Sequence, residues 1–266
     1  MEKLIVLGTG NATVTKCYNT CFALKKENEY LLVDAGGGNQ ILSILENKNI
    51  KLNNIHNICV THAHTDHILG VIWVIRMIAQ MINSKKYEGK LQIYAHSELA
   101  DKIQTICNLT LTSKITKLFG SEIIFNKVEN GETRTILGEN ITFFDIYSTK
   151  EKQYGFCLEY NGKKLTCLGD EPYNEKCQEY VYQADYLLCE AFCLYEDADI
   201  YHPYEKHHST VKDAAQIAEN LQVKNLILWH TEDSDLKNRK EKYPKEAQKY
   251  YNGKIFVPQD LEEIEI

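Results

Sequence analysis

Thr61-His62-Ala63-His64-Thr65-Asp66-His67 places three imidazoles and one carboxylate within six residues, directly after the apolar run Ile58-Cys59-Val60. Imidazole and carboxylate are borderline ligands that suit zinc best and manganese or iron next, whereas calcium and magnesium draw almost wholly on oxygen. In extended backbone, side chains two apart point the same way, so His62 and His64 can grip one ion together. Asp66 and His67 fall where the apolar periodicity changes to that of a helix expected over 68–82, and so turn toward a second point. That arrangement suits two ions rather than one. A lone histidine is ordinarily a solvated surface side chain. Three of the chain's nine histidines in one hexapeptide, with an aspartate between them, make that reading a poor one.

Working outward, the 266 residues are 44% hydrophobic and 25% charged, enough for one sizeable core, and a single domain over 1–266 is expected. Met1-Glu2-Lys3 and the short run Leu4-Ile5-Val6-Leu7, stopped by Gly8, do not read as a signal peptide. No apolar run is expected to approach membrane length, so no membrane partner is expected. Nine cysteines, an odd number spread mostly through expected strands and helices, read as reduced core thiols of a cytoplasmic protein. Cys17-x-x-x-Cys21 and Cys189-x-x-x-Cys193 lack the matching second pair that a metal site needs. A formal charge of −7 argues against a large nucleic-acid footprint, although a local basic patch can coexist with it.

Short strands are expected at 4–7, 21–25 and 30–33, a β-meander that ends in Asp34-Ala35-Gly36-Gly37-Gly38. With no Walker-type lysine and no G-x-G-x-x-G pattern, those glycines read as a tight turn beneath the metal cluster rather than a phosphate cradle. Beyond the cluster come a strand at 91–95 and a helix at 98–111. Strands are expected at 123–128, 133–137, 141–147 and 155–160, and Asn161-Gly162 turns the chain tightly into a strand at 164–168. A helix at 211–220 and a strand at 226–229 are the clearest elements of the last third. Mixed strands with helices at both ends of the chain suit two sheets packed face to face with helices outside.

Leu168-Gly169-Asp170 and Trp229-His230 each put a ligand-type side chain at a strand tip. Taken singly, these are a turn-capping aspartate and a satisfied histidine. Together with the first cluster they follow one pattern: the chain resembles the metallo-β-lactamase-fold hydrolases with their His-x-His-x-Asp-His motif, and within that fold the ribonuclease Z group. Gly8-Thr9-Gly10 with Asn19-Thr20, Val33-Asp34-Ala35-Gly36, the His62 cluster, Gly169-Asp170, Glu190-Ala191-Phe192, His208-Ser209-Thr210 and His230 occur in that group's order. The resemblance implies an α/β fold, the αββα sandwich, and two metal ions, zinc with manganese as a substitute. His62, His64 and Asp170 would hold the first ion, and Asp66, His67, Asp170 and His230 the second. It further implies that Asp66 accepts a proton from the attacking water, and that His208, oriented by Glu190, protonates the leaving oxygen. Read without the resemblance, Glu190 is a strand-end carboxylate and Ser209-Thr210 a helix cap.

Two departures from the group stand out. Its remaining first-site histidine should end the strand that begins at Ile141, yet the chain continues Tyr147-Ser148-Thr149 with no imidazole. Tyr147 is the nearest replacement, and since a phenol is a poor ligand unless deprotonated, the first site is expected to bind its ion weakly. The long arm by which ribonuclease Z enzymes grip the tRNA elbow is also missing: only the 22 residues 148–169 separate Tyr147 from Asp170. The chain is similar in this to the arm-less phosphodiesterases with which phages destroy cyclic pyrimidine mononucleotide signals. The expected substrate is therefore a small phosphodiester such as a cyclic nucleotide, its base stacked on Tyr195, Tyr201 or Tyr204. Pre-tRNA 3′ cleavage is the alternative, with RNA as partner, and a binding protein that lost catalysis the third. The resemblance also implies a homodimer, with 193–207 as a surface loop.

Overall fold

The computed structural model describes residues 1–266, which fall into two compact units. The first comprises Met1–Gly8, Asn19–Glu129 and Leu261–Ile266, and the second Thr9–Tyr18 and Asn130–Asp260. The first unit carries β1 (Lys3–Gly8), β2 (Cys21–Lys26), β3 (Glu29–Val33), α1 (Gln40–Asn47), β4 (Ile55–Cys59), α2 (Thr65–Asn83), β5 (Leu91–His96), α3 (Ser97–Thr110), α4 (Ser113–Thr116) and β6 (Ile123–Val128). The second carries β7 (Thr133–Ile136), β8 (Glu139–Asp145), β9 (Tyr154–Tyr160), β10 (Lys163–Cys167), α5 (Gln178–Val181), β11 (Tyr186–Glu190), α6 (Ala198–Tyr201), α7 (Val211–Asn220), β12 (Asn225–Trp229), α8 (Arg239–Ala247) and β13 (Lys254–Phe256). A last strand, β14 (Glu263–Glu265), returns to β1 in the first unit.

Each unit is built on a seven-stranded mixed sheet, ordered β14-β1-β2-β3-β4-β5-β6 in one and β13-β12-β11-β10-β9-β8-β7 in the other. In both, one end is an antiparallel meander and the other a parallel run, from β3 to β6 and from β10 to β13. Parallel strands need crossover connections, and helices supply most of them, which is why the chain alternates strand and helix there. The expected strands and helices are found with small changes at their ends. Asn161 and Gly162 both have positive φ (47° and 72°), as a tight two-residue hairpin turn requires.

Helix α2 begins at Thr65, three residues before its expected start, so Asp66 and His67 lie in its first turn rather than ahead of it. Ile68, Val71, Ile72, Val74, Ile75, Ile78 and Ala79 are buried at helical spacing, and each large aliphatic side chain contributes about 1.5–3 kcal/mol. At 19 residues and mean hydropathy 1.3 this helix does reach the length and apolarity of a membrane span, contrary to the sequence expectation. Burial of 56% of its apolar window accounts for that composition without a membrane. Strand β8 stops at Asp145, short of the expected 147, because Tyr147 is left-handed (φ 59°) and its N–H is taken by the Asp145 carboxylate at 2.7 Å. Eight of the nine cysteines are buried, as expected of core thiols.

Candidate metal centre

In the first unit the cluster is held by a buried carboxylate. Asp34, at the tip of β3 with φ 52°, accepts hydrogen bonds from the Thr61 N–H at 2.9 Å, the Thr61 hydroxyl at 2.7 Å and His67 Nδ1 at 2.8 Å. With Nδ1–H committed to Asp34, the coordinating lone pair of His67 is on Nε2, the tautomer that a metal-binding imidazole needs. Because the Thr61 hydroxyl donates to Asp34, its 3.0 Å contact with His62 Nδ1 makes that nitrogen the donor and puts the His62 lone pair on Nε2 as well. His62 Nε2 then faces His64 Nδ1 at 3.0 Å, two nitrogens converging as two ligands of one cation do. Asp66 Oδ2 lies 3.4 Å from His67 Nε2, so these two converge in turn. The sequence leads to an expectation of His62 with His64 and Asp66 with His67; these contacts are present, and the His62 and His67 ring centres also lie 4.1 Å apart, so the four side chains form one continuous cluster.

The glycine turn supports this arrangement from below. Gly70 of α2 donates its N–H to the Gly36 carbonyl at 2.8 Å, and a Cβ at Gly70 would sit 1.7 Å from the Ala35 carbonyl oxygen. Only glycine lets the helix approach the turn so closely. The sequence marks Asp34 as a strand end before a glycine turn and as part of the family pattern, but nothing in it shows the carboxylate's hold on Thr61 and His67 or the close approach at Gly70.

In the second unit the candidate residues come from the ends of three adjacent parallel strands. Asp170 follows β10, Glu190 ends β11 and His230 follows β12, in the register Cys167 with Leu188 and Glu190 with Trp229. Gly169 (φ 79°) and His230 (φ 54°) turn the chain at two of these tips. Asp170 Oδ2 lies 3.4 Å from His230 Nε2, and both residues are buried. His208, from the segment before α7, stacks on Phe192 at 4.8 Å and turns Nδ1 toward the Asp170 carbonyl (3.0 Å) and Glu190 Oε2 (3.4 Å). Burial alone would lower the His208 pKa, but the Glu190 carboxylate beside it and the Asp170 charge outweigh that, and it is raised above the ordinary histidine value. Glu190 is itself fixed by the Ser209 N–H (2.5 Å) and hydroxyl (2.8 Å). Ligand atoms of Glu190, His208 and His230 lie within 4.8 Å of one another, close enough that these three could also share an ion.

Nothing in the sequence marks Arg239. It is 2% exposed and donates to the Thr231 hydroxyl (2.5 Å), the Thr9 hydroxyl (3.1 Å) and the Pro258 carbonyl (2.7 Å), bracing the residue after His230. Tyr147, the expected replacement ligand, is 37% exposed, with the Lys176 ammonium 4.4 Å from its ring centre. The segment 193–207 folds into short helical turns, where Tyr195 and Tyr204 are about half exposed and the Tyr201 hydroxyl meets that of Ser234.

Comparison with known proteins places this geometry in a family setting. A family model described as "Anti-Pycsar protein Apyc1" matches residues 2–250. The ribonuclease Z of Nitrosopumilus maritimus (strain SCM1) is 26% identical, with 99% of each chain covered. Among solved structures, the metallo-β-lactamase fold protein YhfI of Bacillus subtilis superposes with a TM-score of 0.81 at 19% identity, covering 100% of this chain and 99% of that one. Human tRNase Z, short form, superposes with a TM-score of 0.75 at 20% identity, covering 98% of each. The two mixed sheets and their helices thus form a metallo-β-lactamase fold.

Proposed function

The chain belongs to the Anti-Pycsar protein Apyc1 family, and we propose that it is a metal-dependent phosphodiesterase whose substrate is a cyclic nucleotide or a similar small phosphodiester. The observation that carries this reading is the pair of carboxylate-oriented imidazoles, Asp34 on His67 and Glu190 on His208. We assign His62, His64 and Asp170 to a first ion and Asp66, His67, Asp170 and His230 to a second. Zinc is the metal we assign, with manganese as a substitute; a homodimer and a cytoplasmic location complete the proposal. When bound, the ions supply an activated water and neutralise charge on the phosphoryl oxygens.

The chain's own side chains do the rest. Asp34 holds the His67 imidazole in its ligating tautomer, and Asp66 accepts the proton that the attacking water gives up. His208, whose pKa the Glu190 carboxylate raises, delivers a proton from Nε2 to the departing oxygen. Tyr195 and Tyr204, which line a cavity of about 410 Å³ with Glu196, Asp199, His202 and Glu205, offer faces on which a base can stack. The carboxylates around them suit the amino and hydroxyl groups of a nucleoside better than a run of phosphates, which agrees with a small substrate and a formal charge of −7.

A second reading, cleavage of a 3′ trailer from pre-tRNA, is favoured by full-length similarity to proteins named ribonuclease Z. The two separate in one experiment: the purified protein is incubated with a panel of 3′,5′-cyclic mononucleotides and, in parallel, with a tRNA precursor carrying a 3′ trailer. Hydrolysis of a cyclic mononucleotide is expected. Trailer release with every cyclic compound left intact would reverse the ranking.

A further inference from the structure

Strand β8 ends at Asp145, and the stretch just beyond it touches two other segments of the second unit. The Thr149 N–H donates to Glu171 Oε2 at 3.3 Å, and the Thr149 hydroxyl contacts His207 Nδ1 at 2.8 Å. Glu171 follows Asp170 in the chain and is 4% exposed, so its carboxylate offers a fixed anchor. His207 precedes His208. One exposed threonine thus touches the chain neighbours of two site residues. The next residue adds a further tie, since the Lys150 ammonium donates to the Lys206 carbonyl.

These contacts close a circuit. Thr149 reaches Glu171 through its N–H, and Glu171 is bonded to Asp170, whose carbonyl lies 3.0 Å from His208 Nδ1. His208 is bonded to His207, whose Nδ1 returns to the Thr149 hydroxyl. Three polar contacts and two peptide links therefore fix the His208 imidazole against Asp170. A closed circuit restricts the torsions of all its members together, and a site side chain is held in one rotamer by such surrounding hydrogen bonds. His207 needs the hold, because its φ of 57° lies in the left-handed region, which a non-glycine residue keeps only where its surroundings over-determine it. On the other side of His208, Ser209 is anchored on Glu190 at 2.8 Å. The histidine is thus gripped through the residue before it and the residue after it.

We infer that Thr149 is a positioning residue for proton transfer to the leaving oxygen: its hydroxyl and N–H clamp the segment before His208 to the turn that carries Asp170, and so set where the His208 imidazole stands. This inference rests on the phosphodiesterase reading, with His208 as proton donor, and deepens it. Thr149 acts through His207 and Glu171. The role needs a hydroxyl at this point, which serine keeps and valine, of nearly the same shape, removes. A proton donor must come within about 2.6–3.2 Å of the atom it serves, so a small displacement of the imidazole costs rate. The cost falls on kcat rather than KM, and it is greatest where the departing oxygen is a poor leaving group.

The test is a double-mutant cycle. Wild type, Thr149→Val, Thr149→Ser, His208→Ala and Thr149→Val/His208→Ala are loaded with zinc and assayed against bis(p-nitrophenyl) phosphate. They are assayed in parallel against an alkyl phosphodiester, a 3′,5′-cyclic mononucleotide or a ribodinucleoside phosphate, with thermal melts to confirm the fold. Thr149→Val should lower kcat on the alkyl substrate by about 2–10-fold, the range of one net hydrogen bond, with KM and metal content unchanged. Thr149→Ser should keep wild-type turnover. The valine loss should shrink on the nitrophenyl substrate and disappear when His208 is already alanine. An equal loss with and without His208, or on both substrates, would make Thr149 a merely structural residue and overturn the inference while the phosphodiesterase reading stands. Metal-loaded wild type that turned over none of these substrates would overturn both. Should Thr149→Val fail to fold, Lys150→Met decides, since it removes the neighbouring tie and its loss should depend on His208 in the same way.

Discussion

Each unit presses a buried carboxylate against the Nδ1 of an imidazole, and the two pairs differ in what surrounds them. In the first unit Asp34 meets His67 at 2.8 Å and also fixes Thr61, which fixes His62, so one carboxylate organises most of a ligand cluster that is contiguous in sequence. In the second, Glu190 meets His208 at 3.4 Å, is anchored by Ser209, and serves a group drawn from the ends of separate strands. On the proposed reading the first pair would prepare an imidazole to bind a cation, and the second, which raises the His208 pKa, would prepare one to give a proton. The same chemical motif would then do two jobs according to what its far nitrogen faces.

The sharpest way to break this comparison is to remove the two imidazole functions separately. His208→Ala should lower turnover by about 10²–10⁴-fold with metal content unchanged, and the loss should shrink for a substrate with an acidic leaving group such as nitrophenolate. His208→Ala protein that lost an ion would instead make Glu190, His208 and His230 a ligand group and erase the distinction. Next in size, Asp34→Asn should weaken metal binding by about 10–100-fold, measured by competition with a chromogenic chelator. Glu190→Gln should leave that affinity nearly untouched while lowering turnover.

The supports of the two units can be compared in the same way. Gly70→Ala forces a Cβ to within 1.7 Å of the Ala35 carbonyl oxygen, and a thermal melt should show a loss of about 1–3 kcal/mol or more, with reduced metal uptake because Asp34 moves with the turn. Gly38, where a Cβ meets nothing within 4 Å, should accept alanine with little change and serves as the control. The smallest effect is expected in the second unit at Asp185, where the Lys224 ammonium (2.7 Å) and the Lys164 N–H (2.8 Å) outweigh partial burial and lower the carboxyl pKa. A lowered acid adds stability above its unfolded value of about 3.9 and loses it as pH falls through the folded value. Asp185→Asn should accordingly lower the melting temperature by about 1–2 °C at pH 7, and the difference should vanish in acid.

How much of this was legible in the sequence follows the same division. The His62 cluster announces itself because four ligand-type side chains sit in one short stretch of backbone, whereas the close approach of His62 to His67 appears only in the folded chain. The helix begins ahead of its apolar periodicity because Thr65, Asp66 and His67 form a polar first turn. In the second unit, Asp170, Glu190, His208 and His230 are each ordinary strand-end or cap residues until a family pattern joins them. The early end of strand β8 is not legible in the sequence, since nothing in Tyr147 announces a left-handed backbone.

The central claim is that these groups hold metal for hydrolysis. It is tested most directly by measuring metal content by mass spectrometry on the same preparation that is assayed against a chromogenic phosphodiester, with His62→Ala as the control. The account predicts bound metal in the wild type and turnover that falls to background in His62→Ala protein. Bound metal with no turnover above that control would contradict it.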